Sequence, residues 1–505
     1  MNRHNKPFVL ACALATATFA AGQTAIDRPP TDIEGPIRLA ETLSPPFRSW
    51  FLLRLALRPK SRPWRTTLIT RAFDAATLAP SVPNLFIGKP GPFPQFVLPK
   101  DIGDLDGLRV QLQAIDALSN SDRDAAVALL ERIVPPELPT DSCDTTLVRD
   151  PTRDYQLMQS LTKRLFAHGE DGDRRRQQYL VTVASHVTSS LQLPGLLLLL
   201  GDPAVTGTDL ASNAGMFATA LRRVEDGDPH YTAVMVTQDL SRQIVAFTQR
   251  LQNNQISPVP ILTGYREYLL RNSVRRCTAL LFHDRSLRQL PDRSPIETFN
   301  SLLDSLEVAG TLAGHELPKI PASTPQRQTA PSQPSPKADT MFSSAAGRKV
   351  SVEFAAFHNR AAALGAERTA AATDALDAEA KAVLTSAEEY FKHVTDSDES
   401  KGRALAEAGH ITQRIVELTD AVAIHQRAGT LLALVSSRHW EQDAGTRSYV
   451  YAYLKQFAGG CAQPNDAERA TRLREARLAG MRSGTRGAAP ELARLVELFA
   501  TPWFC

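Results

Sequence analysis

Apolar residues recur at helical spacing along nearly the whole of this chain, and runs that alternate with period two are nearly absent. Such a pattern offers stripes to bury helix against helix and little material for a sheet. The fold class it implies is all-α: an irregular helical bundle or a solenoid-like array of antiparallel helices. At 505 residues the chain has room for two or three domains.

A helix is expected from Ser44-Pro45-Pro46. Ser suits the N-cap, and proline lacks an amide hydrogen that the first turn would leave unpaired. Phe47, Trp50, Phe51, Leu53, Leu55 and Leu57 give this helix a wide apolar face. A second should run from Trp64 to Leu78 with Leu68, Ile69, Ala72 and Phe73 inward. Residues 23–47 read as Pro-rich and extended at first, with IDRPPTDIEGP as an arm, and residues 80–103 as an irregular loop.

Leu108, Leu112, Ile115 and Leu118 share one helix face, and Ala126, Leu129, Leu130 and Ile133 share another. The Ser119–Asp122 turn between them carries cap chemistry, and Pro135-Pro136 ends the second helix. This hairpin has the size of a tetratricopeptide-type unit, but its period does not recur. Further helices are expected at Tyr155–His168, Arg175–Gln192, Ala211–Glu225, Tyr231–Gln252, Tyr265–Asp284 and Pro295–Leu312. Leu191–Leu200, broken by Pro194-Gly195, reads as a buried helix start.

One stretch interrupts the pattern. Leu317 to Thr340 holds six prolines in 24 residues and no aromatic residue. It buries too little surface to offset its ordering entropy, so it reads as a disordered, Pro-rich linker. The division that follows is a signal peptide at 1–22, an N-terminal helical domain at 23–316, the linker at 317–340 and an Ala-rich helical domain at 341–505. The alternative is a long excursion inside one helical superstructure. Past the linker, Val352–Val394 should break near Gly365. Lys401–Trp440 should bend at Gly429, with Ile411, Ile415, Leu418 and Val422 at near-heptad spacing. Ser448–Phe457, Asp466–Met481 and Glu491–Ala500 follow.

The N-terminus reads as an export signal. Arg3, His4 and Lys6 precede an apolar run from Phe8 to Phe19 that is too short to span a bilayer. Small residues before Gln23 place cleavage between Gly22 and Gln23. No later stretch reaches membrane-spanning length, so the mature chain is expected in the periplasm or outside the cell. Four cysteines remain: Cys143, Cys277, Cys461 and Cys505. An even number in an exported chain favours disulfides, and Cys143–Cys277 with Cys461–Cys505 is the simplest pairing.

Three pieces, SPPFRSWFLLRLA, RDAAVALLERIVPPELP and CDTTLVRDPTRDY, carry a resemblance. Over residues 44–155 the chain resembles a group of exported, helical, uncharacterised proteins of soil bacteria. That resemblance implies no activity.

The sequence offers no catalytic, cofactor-binding or metal-ligating motif. There is no nucleophile elbow, phosphate-binding glycine loop, dinucleotide fingerprint or zincin motif. Gly314-His315-Glu316 reads as a helix exit, and His283-Asp284-Arg285 and Arg438-His439-Trp440-Glu441 as helix-end histidines. His393, His410, His425 and His439 read as separate helix histidines rather than a metal set. The all-positive run from Arg48 to Arg71, and Arg174-Arg175-Arg176, read as solvated faces. A formal charge of +3 selects neither nucleic acid nor an anionic membrane. The reading leans away from an enzyme, toward a protein that binds another protein or a cell-envelope component. A hydrolase or metal enzyme with a site assembled from distant helices is the alternative, and a structural helical spacer is a third.

Overall fold

The computed structural model describes residues 31–82, 85–86, 102–135, 138, 147–166, 169–231, 234–235, 239–273, 295–308, 310, 312, 317–321, 344–364, 369–394, 403–440, 444–458, 467–485 and 490–500. These residues are all-α, with nineteen α-helices. A two-residue bridge pairs Leu85-Phe86 antiparallel with Leu147-Val148.

Before the Pro-rich stretch the helices are α1 (Thr31–Glu41), α2 (Pro45–Ala56), α3 (Arg65–Ala76), α4 (Gly107–Leu118), α5 (Arg123–Glu131), α6 (Thr152–Leu165), α7 (Glu170–Ser185), α8 (Leu193–Leu200), α9 (Gly207–Arg223), α10 (Leu240–Asn253), α11 (Val259–Asn272) and α12 (Pro295–Val308). After it come α13 (Ala345–Leu364), α14 (Ala370–His393), α15 (Arg403–Leu418), α16 (Val422–His439), α17 (Ala444–Ala458), α18 (Ala467–Gly484) and α19 (Pro490–Ala500).

The α4–α5 hairpin forms as its pattern implies. Asp106 caps α4 by accepting from the Arg109 amide, and Asp122 caps α5 by accepting from Ala125. Leu112, Ile115, Leu118, Ala126, Leu130 and Ile133 are all buried.

Several expectations need correction. The expected arm is helix from Thr31, because Ile33, Ile37 and Ala40 make a buried stripe that tolerates Pro36 within it. Tyr231–Gln252 is not one helix; α10 starts at Leu240, where Asp239 adopts a left-handed backbone and caps the Arg242 amide. Arg175–Gln192 also divides: α7 ends at Ser185, and a short 3-10 turn at Ser190–Gln192 has its own capping box on Ser189. Lys401–Trp440 breaks between Leu418 and Val422 rather than bending at Gly429, and Val422 is exposed.

Gly429 instead sits where α16 meets α18. A Cβ there would lie 2.4 Å from the Arg477 carbonyl oxygen, and one on Gly480 would lie 1.9 Å from that of Gln426. Gly484 is similarly close to Thr430. The two helix backbones therefore touch along a row that only glycine permits, and the Thr430 hydroxyl donates across it to the Gly480 carbonyl at 3.2 Å.

The first residues of the Pro-rich stretch are docked. The Asn300 side chain donates to the Ile320 carbonyl and accepts from its amide, at 2.9 and 3.0 Å, and Ile320 is buried. Arg266 donates to the Pro318 carbonyl at 2.7 Å. Residues 322–340 lie outside the described residues. Apolar side chains from both sides of the stretch belong to one contiguous core.

Candidate functional site

Helices α14 and α16 run in the same sense. Arg427, early in α16, forks onto Glu388 with two bonds of 2.7 Å, and Arg438, late in α16, donates to the carbonyl of Phe391, late in α14. Between them opens a groove of about 220 Å³. Its wall is apolar: Phe391, Leu431, Leu434 and Val435. Leu434 is 40% exposed, while Phe391, Leu431 and Val435 beside it are buried. Because both helices end at one end of the groove, the last-turn basic residues Lys392 of α14 and Arg438 of α16 both line it there. Cations suit the negative end of a helix dipole. Glu388 is paired with Arg427, and Lys392 with Glu389 at 3.1 Å, so the positive charge on the lining at that end is that of Arg438.

The structure disperses the C-terminal histidines. His393 pairs with Glu389 on the surface. His410 packs edge-on against Phe354, and burial, aided by Arg414, holds its ring below the ordinary histidine value. The buried His425 ring donates from Nε2 to the Thr419 carbonyl at 2.8 Å, and burial lowers it too. His439 is buried at the end of α16. Among the described residues, no group of three histidine, cysteine or acidic side chains is placed to hold a metal ion. Cys143, Cys277, Cys461 and Cys505 lie outside the described residues, as do Gly22, Gln23, His283, His315 and Glu441.

Arg48, Arg65 and Arg71 of the basic run are tied into the fold. Arg48 donates to the Glu41 and Leu43 carbonyls, Arg65 to that of Ala56, and Arg71 pairs with Glu41. Arg174, Arg175 and Arg176 divide among Asp171, Glu131 and Asp202.

Two polar clusters escaped the sequence reading. In the first, Asp228 accepts from the amides of Ser190 and His230 and from the Ser189 hydroxyl. The Ser189 hydroxyl and the Asp228 carboxylate both lie 3.2 Å from the same His230 nitrogen, Nδ1. A nucleophilic relay needs the acid on one ring nitrogen and the hydroxyl on the other. This arrangement is a clasp that ties the turn after α7 to the turn after α9, with Asn272 accepting from the Asp228 amide at 2.8 Å. Burial acts to raise the Asp228 carboxyl, but the bonds from His230 and Ser190 outweigh it and hold the group below its ordinary value.

In the second cluster, Arg149 lies between Asp106 and Asp154, with Arg109 on the far side of Asp154 at 3.2 Å. Asp106 also accepts from the Val82 amide at 2.9 Å. Two arginines and two carboxylates balance in charge, so burial is tolerated. Burial would raise Asp106, yet the Arg149 charge and bonds hold it below the carboxylate range. No local motif announces either cluster, because partners come from separate helices.

No protein family, curated protein or solved structure matches this chain. The groove and the two clusters therefore stand on their own geometry.

Proposed function

We propose that the protein is an exported, non-enzymatic helical protein that binds an amphipathic helix of another envelope protein in the α14–α16 groove. The observation that carries this reading is the apolar groove between α14 and α16, open at Leu434, with the Arg438 guanidinium at one end. An apolar stripe at i and i+4 would fill the groove, and an acidic residue one turn further would face Arg438. Export rests on the charged start and apolar run of residues 1–22. The hydrolase alternative finds its best constellation at Ser189, Asp228 and His230, where hydroxyl and acid crowd one ring nitrogen.

A photoreactive amino acid placed at Leu434 tests the reading in cells, with Leu78, another exposed leucine, as the control position. The expected adduct forms at 434 and not at 78, joins a peptide of amphipathic, acid-flanked pattern, and disappears when Val435→Arg fills the groove. Failure to form an adduct at 434, or a cross-linked peptide without that pattern, overturns the proposal.

A further inference from the structure

The two sides of the Pro-rich stretch meet in a joint built of side chains. Phe47 of α2 stacks on Trp440 at the end of α16, with centroids 5.4 Å apart and planes 14° from parallel. Tyr451 of α17 packs against Phe47 at 5.7 Å, edge-on against Trp50 at 5.2 Å, and against Phe499 of α19 at 6.1 Å. All five rings are buried.

A polar edge surrounds this aromatic box. Lys455 of α17 pairs with Asp104 at 2.5 Å, and its ammonium lies 5.8 Å from the Trp50 ring and 5.9 Å from that of Tyr451. Arg54 shares Asp104 at 3.6 Å. Such placement suits a cation between a carboxylate and two aromatic faces.

The joint also completes secondary structure. Ser44 is the N-cap of α2, yet its side chain makes no capping bond. Its amide is taken instead by the Glu491 carboxylate at 2.7 Å, an acid in the first turn of α19. One carboxylate thus serves two helix N-termini. Arg494 returns a bond to the Thr42 carbonyl at 3.1 Å. Stripped of its partner, the N-terminal piece would expose Phe47 and Trp50 and leave the start of α2 uncapped.

We infer that this joint, rather than the Pro-rich connection, holds the two pieces together, so that residues 344–500 are a specific protein ligand for the α1–α4 end of the same chain. The chain is then a complex of two pieces whose covalent tether is dispensable. This inference is independent of the groove.

The test cuts the folded, full-length protein. A recognition sequence for a site-specific protease is inserted between Thr329 and Ala330, and the protein is cleaved and kept under reducing conditions, so that no disulfide can hold the pieces. The expected result is co-elution of the two pieces at the size of the uncut chain. Trp440→Ala should weaken the pairing of the cut pieces at least tenfold. Lys455→Glu should weaken it as well, and adding Asp104→Lys should restore much of the loss. Pieces that separate while each keeps its helical circular dichroism overturn the inference. So does pairing that neither Trp440→Ala nor Lys455→Glu weakens.

Discussion

Arg149 grips Asp106 through two parallel hydrogen bonds, both 2.8 Å long, in a site where neither side chain reaches water. The same guanidinium reaches Asp154 at 2.6 Å. Asp106 is the N-cap of α4, and Asp154 lies in the first turn of α6. One arginine therefore fixes the starts of two helices and the bridge strand at Leu147-Val148 that precedes it.

Replacing Arg149 by leucine should strand two buried carboxylates. Removal of one partner from a buried pair costs about 3–5 kcal/mol. Arg149→Lys keeps the charge but loses the fork, so its loss should be smaller. Urea unfolding of both variants measures this, and a loss below ~1 kcal/mol for Arg149→Leu would contradict the assigned role.

Stability should fall in two stages on acidification. His410 and His425 are held below the ordinary histidine value, so the unfolded chain takes up protons first, from about pH 6.5 downward. Folding stability is thus lost as pH drops below that point. Asp106 and Asp228 are depressed carboxylates, whose contribution is full above about pH 4 and disappears as pH falls through their folded values. Denaturant unfolding across pH 8 to 3 reads both stages. His425→Asn should flatten the first, and a curve already flat from pH 7 to 5 would rule it out.

Two glycine-to-alanine changes should have opposite signs. Gly480→Ala puts a methyl 1.9 Å from a backbone oxygen of α16, which cannot rotate aside. Overpacking of this kind costs about 1–3 kcal/mol. Gly215, inside α9, has nothing within 4 Å of a built Cβ, so Gly215→Ala should stabilise by about 0.4–1 kcal/mol. Thermal unfolding of the pair checks the helix contact directly, and equal shifts would argue against it.

If the proposed export holds, peptide mapping without reductant should recover Cys143 joined to Cys277 and Cys461 joined to Cys505, on a chain beginning at Gln23. A bond from either of the first two cysteines to either of the last two would span the Pro-rich stretch in sequence and replace this pairing.

The hairpin at α4–α5 is legible because its signals are local: an apolar stripe on each helix, and cap chemistry in the turn that ends at Asp122; the Asp106 cap of α4 emerges only in the structure. Helix α1 was hidden because proline density outweighed the spacing of Ile33, Ile37 and Ala40. Gly429 was read as a bend because a helical glycine marks either a bend or a close approach, and the deciding neighbour, Arg477, sits on another helix. The RDPTRDY stretch shows its turn chemistry at Asp150, which accepts from the Thr152 amide at 2.9 Å. Its partner for Arg149 lies far away in sequence, at Asp106. The groove at Leu434 likewise exists only once α14 and α16 lie side by side.

Among the four tryptophans of the chain, Trp50 and Trp440 both lie buried in the aromatic box that Phe47 and Tyr451 complete. The protein thus carries its own optical gauge. Separation of the box would move both indoles into water, shifting emission to longer wavelength and erasing near-ultraviolet dichroism, while the helices of each piece leave the far-ultraviolet signal in place.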